Sequence, residues 1–172
     1  MADVPRDGAT MGEIVMRGNN VMKSYHRDEE KTAEAFRGGW FHSGDLGVVH
    51  PDGYVELRDR AKDVVISGGE NISTVEVEQA IVSHDAVLEA AVVGVPDEKW
   101  GEVCKAFAVL KPGRSAEPQE LIDHVKTRIA RYKAPKYVEL VDELPKTSTG
   151  KVQKLELREK EWDGRGDSRI QG

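Results

Sequence analysis

The sequence predicts an α+β fold: a small domain with a central mixed β-sheet flanked by helices, preceded by a β-rich remnant of a larger domain. From about residue 62 onward, short apolar runs alternate with two segments of helical periodicity, a pattern that favours an α+β domain. Before residue 60, short apolar runs are separated by turns that contain glycine or proline, which favours strands. These strands are too few to close a core alone, so the first region is expected to be the end of a larger domain.

The β-rich region is expected to contain three strands and one polar helix. Three stretches have strand character: residues 12–17, 46–50 and 54–58. Residues 27–36 are good helix formers, and a glycine pair directly after them terminates the helix. Pro51-Asp52-Gly53 is a turn, because proline presets one backbone dihedral angle and glycine accepts a positive one. Residues 46–58 are therefore predicted to form a hairpin.

The second region is expected to contain four strands and two helices. Four apolar runs are the strand candidates: residues 64–66, 90–95, 104–110 and 137–141. Ser73 and Glu76 have the spacing of a capping box before a helix over residues 74–84. Pro118 suits the first position of a second helix, whose apolar stripe includes Leu121 and Val125. A polar loop over residues 145–151 follows, and the tail is expected to be frayed.

Composition and charge exclude several classes of protein. The 172 residues are 38% apolar and 33% charged with a net charge of −6, which is typical of a soluble globular protein without a nucleic-acid partner. No apolar run approaches the roughly 20 residues of a membrane helix, and residues 1–12 lack the apolar stretch of a secretory signal. The single Cys104 cannot form an internal disulfide, so we expect a packed strand residue and a cytoplasmic location.

Five motifs occur in a fixed order along the chain: Gly12-Glu13-Ile14, Trp40-Phe41-His42-Ser43-Gly44-Asp45, Asp59-Arg60-Ala61-Lys62-Asp63, Ser67-Gly68-Gly69-Glu70-Asn71-Ile72 and Pro145-Lys146-Thr147-Ser148-Thr149-Gly150-Lys151. In this order and spacing they resemble the motifs of adenylate-forming enzymes, and of AMP-forming acyl-CoA synthetases in particular. The resemblance implies that residues 1–61 end a large AMP-binding domain, that residues 62–160 are the C-terminal lid domain, and that residues 161–172 are a flexible tail.

The resemblance implies roles for four residues in and around the nucleotide site. Asp45 matches the aspartate that binds the ribose hydroxyls, and a carboxylate can accept two such hydrogen bonds. Arg60 matches the arginine that approaches ribose and phosphate. Lys151 matches the lysine that contacts the α-phosphate and the substrate carboxylate during adenylation, where a fixed cation offsets developing charge. Lys62 matches the hinge about which the small domain rotates between adenylation and thioester formation.

The resemblance also implies a coenzyme A site, formed by six residues: Gly68, Gly69, Glu70, Trp100, Tyr132 and Lys133. The glycine loop matches the wall of the pantetheine tunnel, where absent side chains let a narrow thiol arm pass close to the backbone. Two segments, Trp100-Gly101 and Tyr132-Lys133-Ala134-Pro135-Lys136, match positions near the CoA nucleotide, and an aromatic side chain with two lysines suits a phosphorylated purine. Some relatives carry arginine at the position of Ala134, so the resemblance does not define which contacts with the CoA nucleotide residue 134 makes.

The function that the resemblance implies is that of a carboxylic (fatty) acid:CoA ligase, which forms acyl-AMP from ATP and then acyl-CoA. The loop that wraps the ATP phosphates, the segment that holds adenine and Mg²⁺, and the acyl pocket have no counterpart in the 172 residues. We therefore expect the chain to work with the N-terminal part of its own protein and to be inactive alone. No metal ligand is assigned within it, and its partners are expected to be small molecules.

Two alternatives remain open from the sequence. Within the same family, the chain could belong to an adenylation domain that loads a carrier protein, or to a luciferase-like oxygenase. In a different class, it could be a stand-alone interaction module that kept the fold and lost the chemistry. Intact Asp45, Arg60 and Lys151 argue against such decay. The acyl group and the oligomeric state are not encoded in any of these residues.

Overall fold

The computed structural model describes residues 2–162 and divides them into two compact units, the first ending at Lys62 and the second beginning at Asp63. The predicted tail beyond Trp162 lies outside the described residues. Within the described part of the chain, no helix is both long enough and apolar enough to cross a membrane.

The first unit is a three-stranded antiparallel sheet with one helix. Its elements are β1 (Gly12–Met16), α1 (Glu29–Ala35), β2 (Phe41–Val49) and β3 (Val55–Arg60), with strand order β1-β2-β3. The Asp28 carboxylate caps α1 by accepting a hydrogen bond from the Lys31 N–H at 3.0 Å. The predicted hairpin between β2 and β3 is present, because the His50 N–H donates to the Tyr54 carbonyl at 2.8 Å.

Strand β2 begins earlier than the pattern predicts. It starts at Phe41 rather than at residue 46, so Ser43-Gly44-Asp45 lies within the strand, whereas in isolation these residues favour a turn. The pairing with β3 shifts register between Leu46 and Gly47. A shift of this kind bends the strand and changes where the neighbouring side chains point. Between the pairs Glu13–Leu46 and Val15–His42, residues 43–45 lie opposite the single Ile14 of β1 and form a bulge. Pairing on either side of this bulge overrides the local turn preference.

The second unit contains a mixed sheet, as predicted, but it has five strands rather than the four expected. Its strands are β4 (Val65–Ser67), β5 (Glu70–Ile72), β6 (Val87–Asp97), β7 (Gly101–Leu110) and β8 (Tyr137–Leu140). The order is β5-β4-β7-β6, and β8 also pairs with β7. The β7–β8 pair is parallel and the other pairs are antiparallel. Strand β5 is not predicted, and β6 and β7 extend into the stretch between them, which the sequence suggests is a loop.

Helices cover both faces of this sheet. They are α2 (Thr74–Val82), α3 (Pro118–Arg128) and α4 (Lys154–Trp162). Helices α2 and α3 pack on one face, where Val77, Ile81 and Leu121 are fully buried. The other face is covered by Leu144 and by Leu157 of α4. Because side chains alternate along a strand, β6 and β7 supply both cores.

Helix α4 is not predicted by the sequence. Of its nine residues only Leu157 is buried, so the segment lacks the apolar stripe that identifies a packed helix. The helix ends at Trp162, whose indole N–H donates to the Gly94 carbonyl at 3.0 Å. The first two residues of the predicted tail, Glu161 and Trp162, are therefore helical and packed rather than frayed.

Candidate functional site

The first unit brings Asp45 and Arg60 together. They face each other across strands β2 and β3, and the Arg60 Nε–H donates to Asp45 Oδ1 at 3.1 Å. The Arg60 side chain is 60% exposed and that of Asp45 is 37% exposed. An ion pair this exposed contributes only about 0–1 kcal/mol to stability, so both side chains can exchange it for contacts with a ligand at little cost.

Glu13 supports the backbone on which Asp45 stands. Its Oε1 accepts a hydrogen bond from the Gly44 N–H at 3.1 Å, and its Oε2 accepts one from His42 Nδ1–H at 2.6 Å. Burial alone would raise the pKa of Glu13, but the hydrogen bonds from His42 and Gly44 outweigh it and hold the pKa below its ordinary value. The motif residue Glu13, to which the sequence assigned no role, therefore holds the Asp45 strand in place as a carboxylate.

Lys151 lies at the end of a tight, exposed loop. The Thr147 N–H donates to the Lys151 carbonyl at 2.8 Å, and the Gly150 N–H donates to the Thr147 carbonyl at 2.9 Å. Gly150 has φ of 83°, which a glycine adopts without strain. Within residues 2–162, no hydrogen bond or ion pair engages the Lys151 ammonium group. The loop thus presents a cation that is available to a ligand.

Lys62 is exposed and lies in a turn. It is the last residue of the first compact unit. A hinge requires a residue whose backbone dihedral angles can change, and exposed residues in turns suit this requirement. Its role as a hinge stays a prediction.

The second unit contains an open cavity of about 500 Å³ beside β4, β7 and α3. Four of the six residues assigned to CoA line it: Gly68, Glu70, Trp100 and Tyr132. The indole is 47% exposed and the phenol 55% exposed, so both rings have free surface at the opening. Apolar side chains, among them Ile72 and Val103, complete the wall. Gly69 and Lys133 are not among the lining residues.

Three cations outside the six assigned residues line this cavity: Lys126, Arg131 and Lys136. The resemblance places Lys136 in a segment near the CoA nucleotide, whereas it implies nothing for Lys126 and Arg131. Among the described residues, none forms an ion pair with the exposed Arg131 guanidinium. Lys133, by contrast, bonds both oxygens of Glu76 at 2.7 and 2.9 Å. A sequence signal for Lys126 existed, because it lies four residues after Ile122 and so on the same face of α3.

Asp97 binds both the turn that carries Trp100, between β6 and β7, and the Lys136 side chain, which precedes β8. The Asp97 Oδ1 accepts hydrogen bonds from the Lys99 and Trp100 N–H groups, both at 3.0 Å, while Oδ2 binds the Lys136 ammonium. This hydrogen bond between Lys136 and Asp97 lowers the pKa of Asp97 and raises the pKa of Lys136. Asp97 therefore fixes the backbone that carries Trp100.

Gly68 and Gly69 have different surroundings. Gly68 has φ of 59° and donates its N–H to the Trp100 carbonyl at 2.9 Å. A Cβ at residue 68 would lie 2.7 Å from Cε3 of the Trp100 ring, whereas a Cβ at residue 69 would meet nothing within 4 Å. The missing side chain of Gly68 thus makes room for the indole, and the open backbone surface is that of Gly69.

The described residues contain no group of three or more His, Cys, Asp or Glu side chains that could hold a metal ion.

Comparison with known proteins identifies relatives for most of the chain. Residues 76–151 match the family described as the AMP-binding enzyme C-terminal domain. The chain is 54% identical over 161 residues to a 2-methylpropanoate–CoA ligase of Humulus lupulus. This alignment covers 92% of the chain and 29% of that ligase. It is 48% identical over 159 residues to the peroxisomal trans-cinnamate:CoA ligase of Petunia hybrida, covering 92% and 28% of the two proteins.

A solved structure gives the same relationship. ATP-bound MatB from Rhodopseudomonas palustris matches with a TM-score of 0.85 and 40% identity, covering 93% of this chain and 32% of that protein. The chain therefore spans about three-tenths of the length of the relatives described.

Proposed function

We propose that this chain, which belongs to the adenylate-forming enzymes through its AMP-binding enzyme C-terminal domain, is part of a carboxylic acid:CoA ligase. The family membership confirms the resemblance seen in the sequence. The proposed enzyme first joins a carboxylic acid to AMP and then transfers the acyl group to CoA. The observation that carries the proposal is that one compact unit holds both an unpaired lysine on an exposed loop and a cavity of nucleotide size.

In the adenylation step, Lys151 supplies positive charge to the α-phosphate and orients the attacking carboxylate. A cation whose position is set by a tight loop stabilises the developing charge without first having to reorganise. Asp45 accepts hydrogen bonds from the ribose hydroxyls, and Arg60 exchanges part of its ion pair with Asp45 for contact with ribose and phosphate. ATP and the Mg²⁺ that accompanies it are held mainly by a large domain joined to the first unit.

In the thioester step, the cavity receives the nucleotide end of CoA. Its volume falls within the range of about 300–1,000 Å³ that is usual for small-molecule sites. Trp100 and Tyr132 offer ring faces on which a purine can stack. Arg131 and Lys126 offer charges for its phosphates, and a guanidinium can pair with a phosphate through two parallel hydrogen bonds. The unobstructed backbone of Gly69 borders the pantetheine arm.

Lys62 is the pivot between the two steps. The two half-reactions need different residues of the second unit, the Lys151 loop in the first and the cavity in the second, so the unit has to turn between them. A sequence with a single cysteine is usual for proteins of a reducing compartment, and on this ground we propose a cytoplasmic location. A peroxisomal location is the alternative, since the name of one relative includes it.

The test is the Lys151→Ala substitution in the full-length polypeptide that carries this chain. We expect adenylation to fall by about 100- to 1,000-fold, because a preorganised charge is lost. Thioester formation from supplied acyl-AMP should remain. Lys146→Ala is the matched control, since this lysine belongs to the same loop but is held by Glu89 at 2.7 Å. Equal losses in the two half-reactions, or no loss in either, would contradict the role assigned to Lys151. A parent polypeptide without either half-reaction would favour a non-catalytic interaction module.

A further inference from the structure

The Lys151 loop is closed at its base and leads directly into helix α4. Lys146 and Val152 form a β-bridge across the base. The Gln153 N–H donates to the Pro145 carbonyl at 2.8 Å, and its side-chain amide donates to the Lys146 carbonyl at 3.1 Å. The loop is therefore a small closed unit whose direction depends on how residues 153 and 154 are attached to the rest of the domain.

Lys154 makes that attachment. Its ammonium group donates to Thr74 Oγ1 at 2.8 Å and pairs with Glu78 Oε1 at 2.7 Å. Thr74 is the first residue of helix α2, and Glu78 lies about one turn further along it. Thr74 is fully buried, and the Lys154 and Glu78 side chains are 19% and 18% exposed. The same Glu78 oxygen accepts a hydrogen bond from the Val92 N–H on strand β6 at 2.8 Å. One ammonium group thus connects the loop to α2 and, through Glu78, to the sheet.

The body of α4 is held independently of Lys154. Leu157 is buried in the second core, the Trp162 indole donates to Gly94, and Arg158 lies 3.8 Å from Asp63. Lys154 is the first residue of this anchored helix and stands three residues after Lys151. Loss of the Lys154 contacts would free the first turn of α4 and the loop that precedes it, while the rest of the helix kept its own contacts.

We propose that Lys154 is a positioning residue for adenylation, which holds the Lys151 loop at a fixed place by binding Thr74 and Glu78. The role depends on the proposed function of Lys151, but the tether itself can be measured without any activity. A displacement of about 1 Å at a reacting group can lower the rate about 100-fold. A polar anchor three residues from Lys151 can therefore affect the rate of adenylation.

The test variant is Lys154→Met together with Glu78→Gln. Lys154→Met alone would leave a buried carboxylate without its counter-charge and could unfold the domain, whereas removal of both charges of a buried pair is often tolerated. Glutamine retains an oxygen for the Val92 N–H. The matched control is Lys160→Met together with Glu156→Gln, which removes an exposed ion pair from the same helix.

Two measurements decide the proposal. In this chain, amide hydrogen exchange of Thr147 and Gln153 should become about tenfold faster in the test variant, while the β6–β7 ladder exchanges as before. In the full-length polypeptide, adenylation should fall by about 100-fold with thioester formation from supplied acyl-AMP unchanged. The control should alter neither quantity.

Unchanged loop exchange, an equal rise in the loop and the ladder, or adenylation at the parental rate would each overturn the proposal. If Lys151→Ala also leaves adenylation intact, the proposed function itself fails, and hydrogen exchange alone decides whether Lys154 tethers the loop. If Lys151→Ala abolishes adenylation and the test variant does not, the proposed function stands and the positioning role is wrong.

Discussion

Gly68→Ala should destabilise the second unit through one identified contact, the Trp100 ring. Alanine at φ of 59° carries the backbone penalty of the left-handed region, about 1–2 kcal/mol. The new Cβ would also lie 2.7 Å from the indole, and overpacking of this kind costs about 1–3 kcal/mol. Because Trp100 is 47% exposed, its ring can move toward solvent, so the steric cost should fall at the low end of that range. We expect a loss of about 2–3 kcal/mol in the free energy of unfolding.

The assay is denaturant unfolding of the chain, with the transition of the second unit followed for four proteins that form a double-mutant cycle. These are the parent, Gly68→Ala, Trp100→Ala and the double variant. In the Trp100→Ala background, Gly68→Ala should cost about 1 kcal/mol less, because only the backbone strain remains. Gly69→Ala is the control, since it also forces alanine to a positive φ, here 90°, but meets no atom within 4 Å. If Gly68→Ala costs the same with and without the indole, the steric argument is wrong.

Three further predictions concern the ATP site, the hinge and the partly buried His124. This chain alone should release no pyrophosphate from ATP with any carboxylic acid; release would show that the ATP-phosphate loop is not needed. Lys62→Pro in the full-length polypeptide should block thioester formation selectively while Lys62→Ala does little, since proline fixes φ near about −65°; parental rates in both half-reactions would place the hinge elsewhere. Burial, followed by the charges of His84 and Arg128, lowers the pKa of His124 below 6.5. As the pH falls, the histidine therefore takes up a proton in the unfolded chain at a higher pH than in the folded one. The free energy of unfolding is unaffected by this group well above pH 6.5 and decreases as the pH falls through 6.5. His124→Gln should flatten this dependence in unfolding measurements, and an unchanged slope would refute it.

The elements that the sequence predicts correctly are those whose signal is local. The apolar stripe of α3 and the apolar runs of β6 and β7 follow from residues a few positions apart, so periodicity alone identifies them. The Pro51-Asp52-Gly53 turn follows from backbone preferences within three residues. A sheet with helices packed against it then follows from packing these elements in order.

Helix α4 shows why other parts could not be predicted. Its anchors are mainly polar contacts with distant residues: Lys154 reaches Thr74, 80 residues away, and Trp162 reaches Gly94, 68 residues away. Neither contact leaves a periodic pattern in the local sequence. Strand β2 differs from expectation for a related reason, because pairing with β1 before and after residues 43–45 continues the strand across a bulge whose own preference is a turn.

The sequence by itself determined the family, the α+β class and the choice of Asp45, Arg60 and Lys151 as candidate site residues. It could do so because the order of motifs and the short-range patterns depend only on residues that are near one another in the sequence. Only the tertiary structure decided which side chains share a cavity or a contact. It placed Arg131 and Lys126 at the cavity and turned Lys133 toward Glu76, and it set the indole of Trp100 against Gly68. The physical reason is that the direction of a side chain depends on the elements packed beside it, and those elements come from residues far away in the chain.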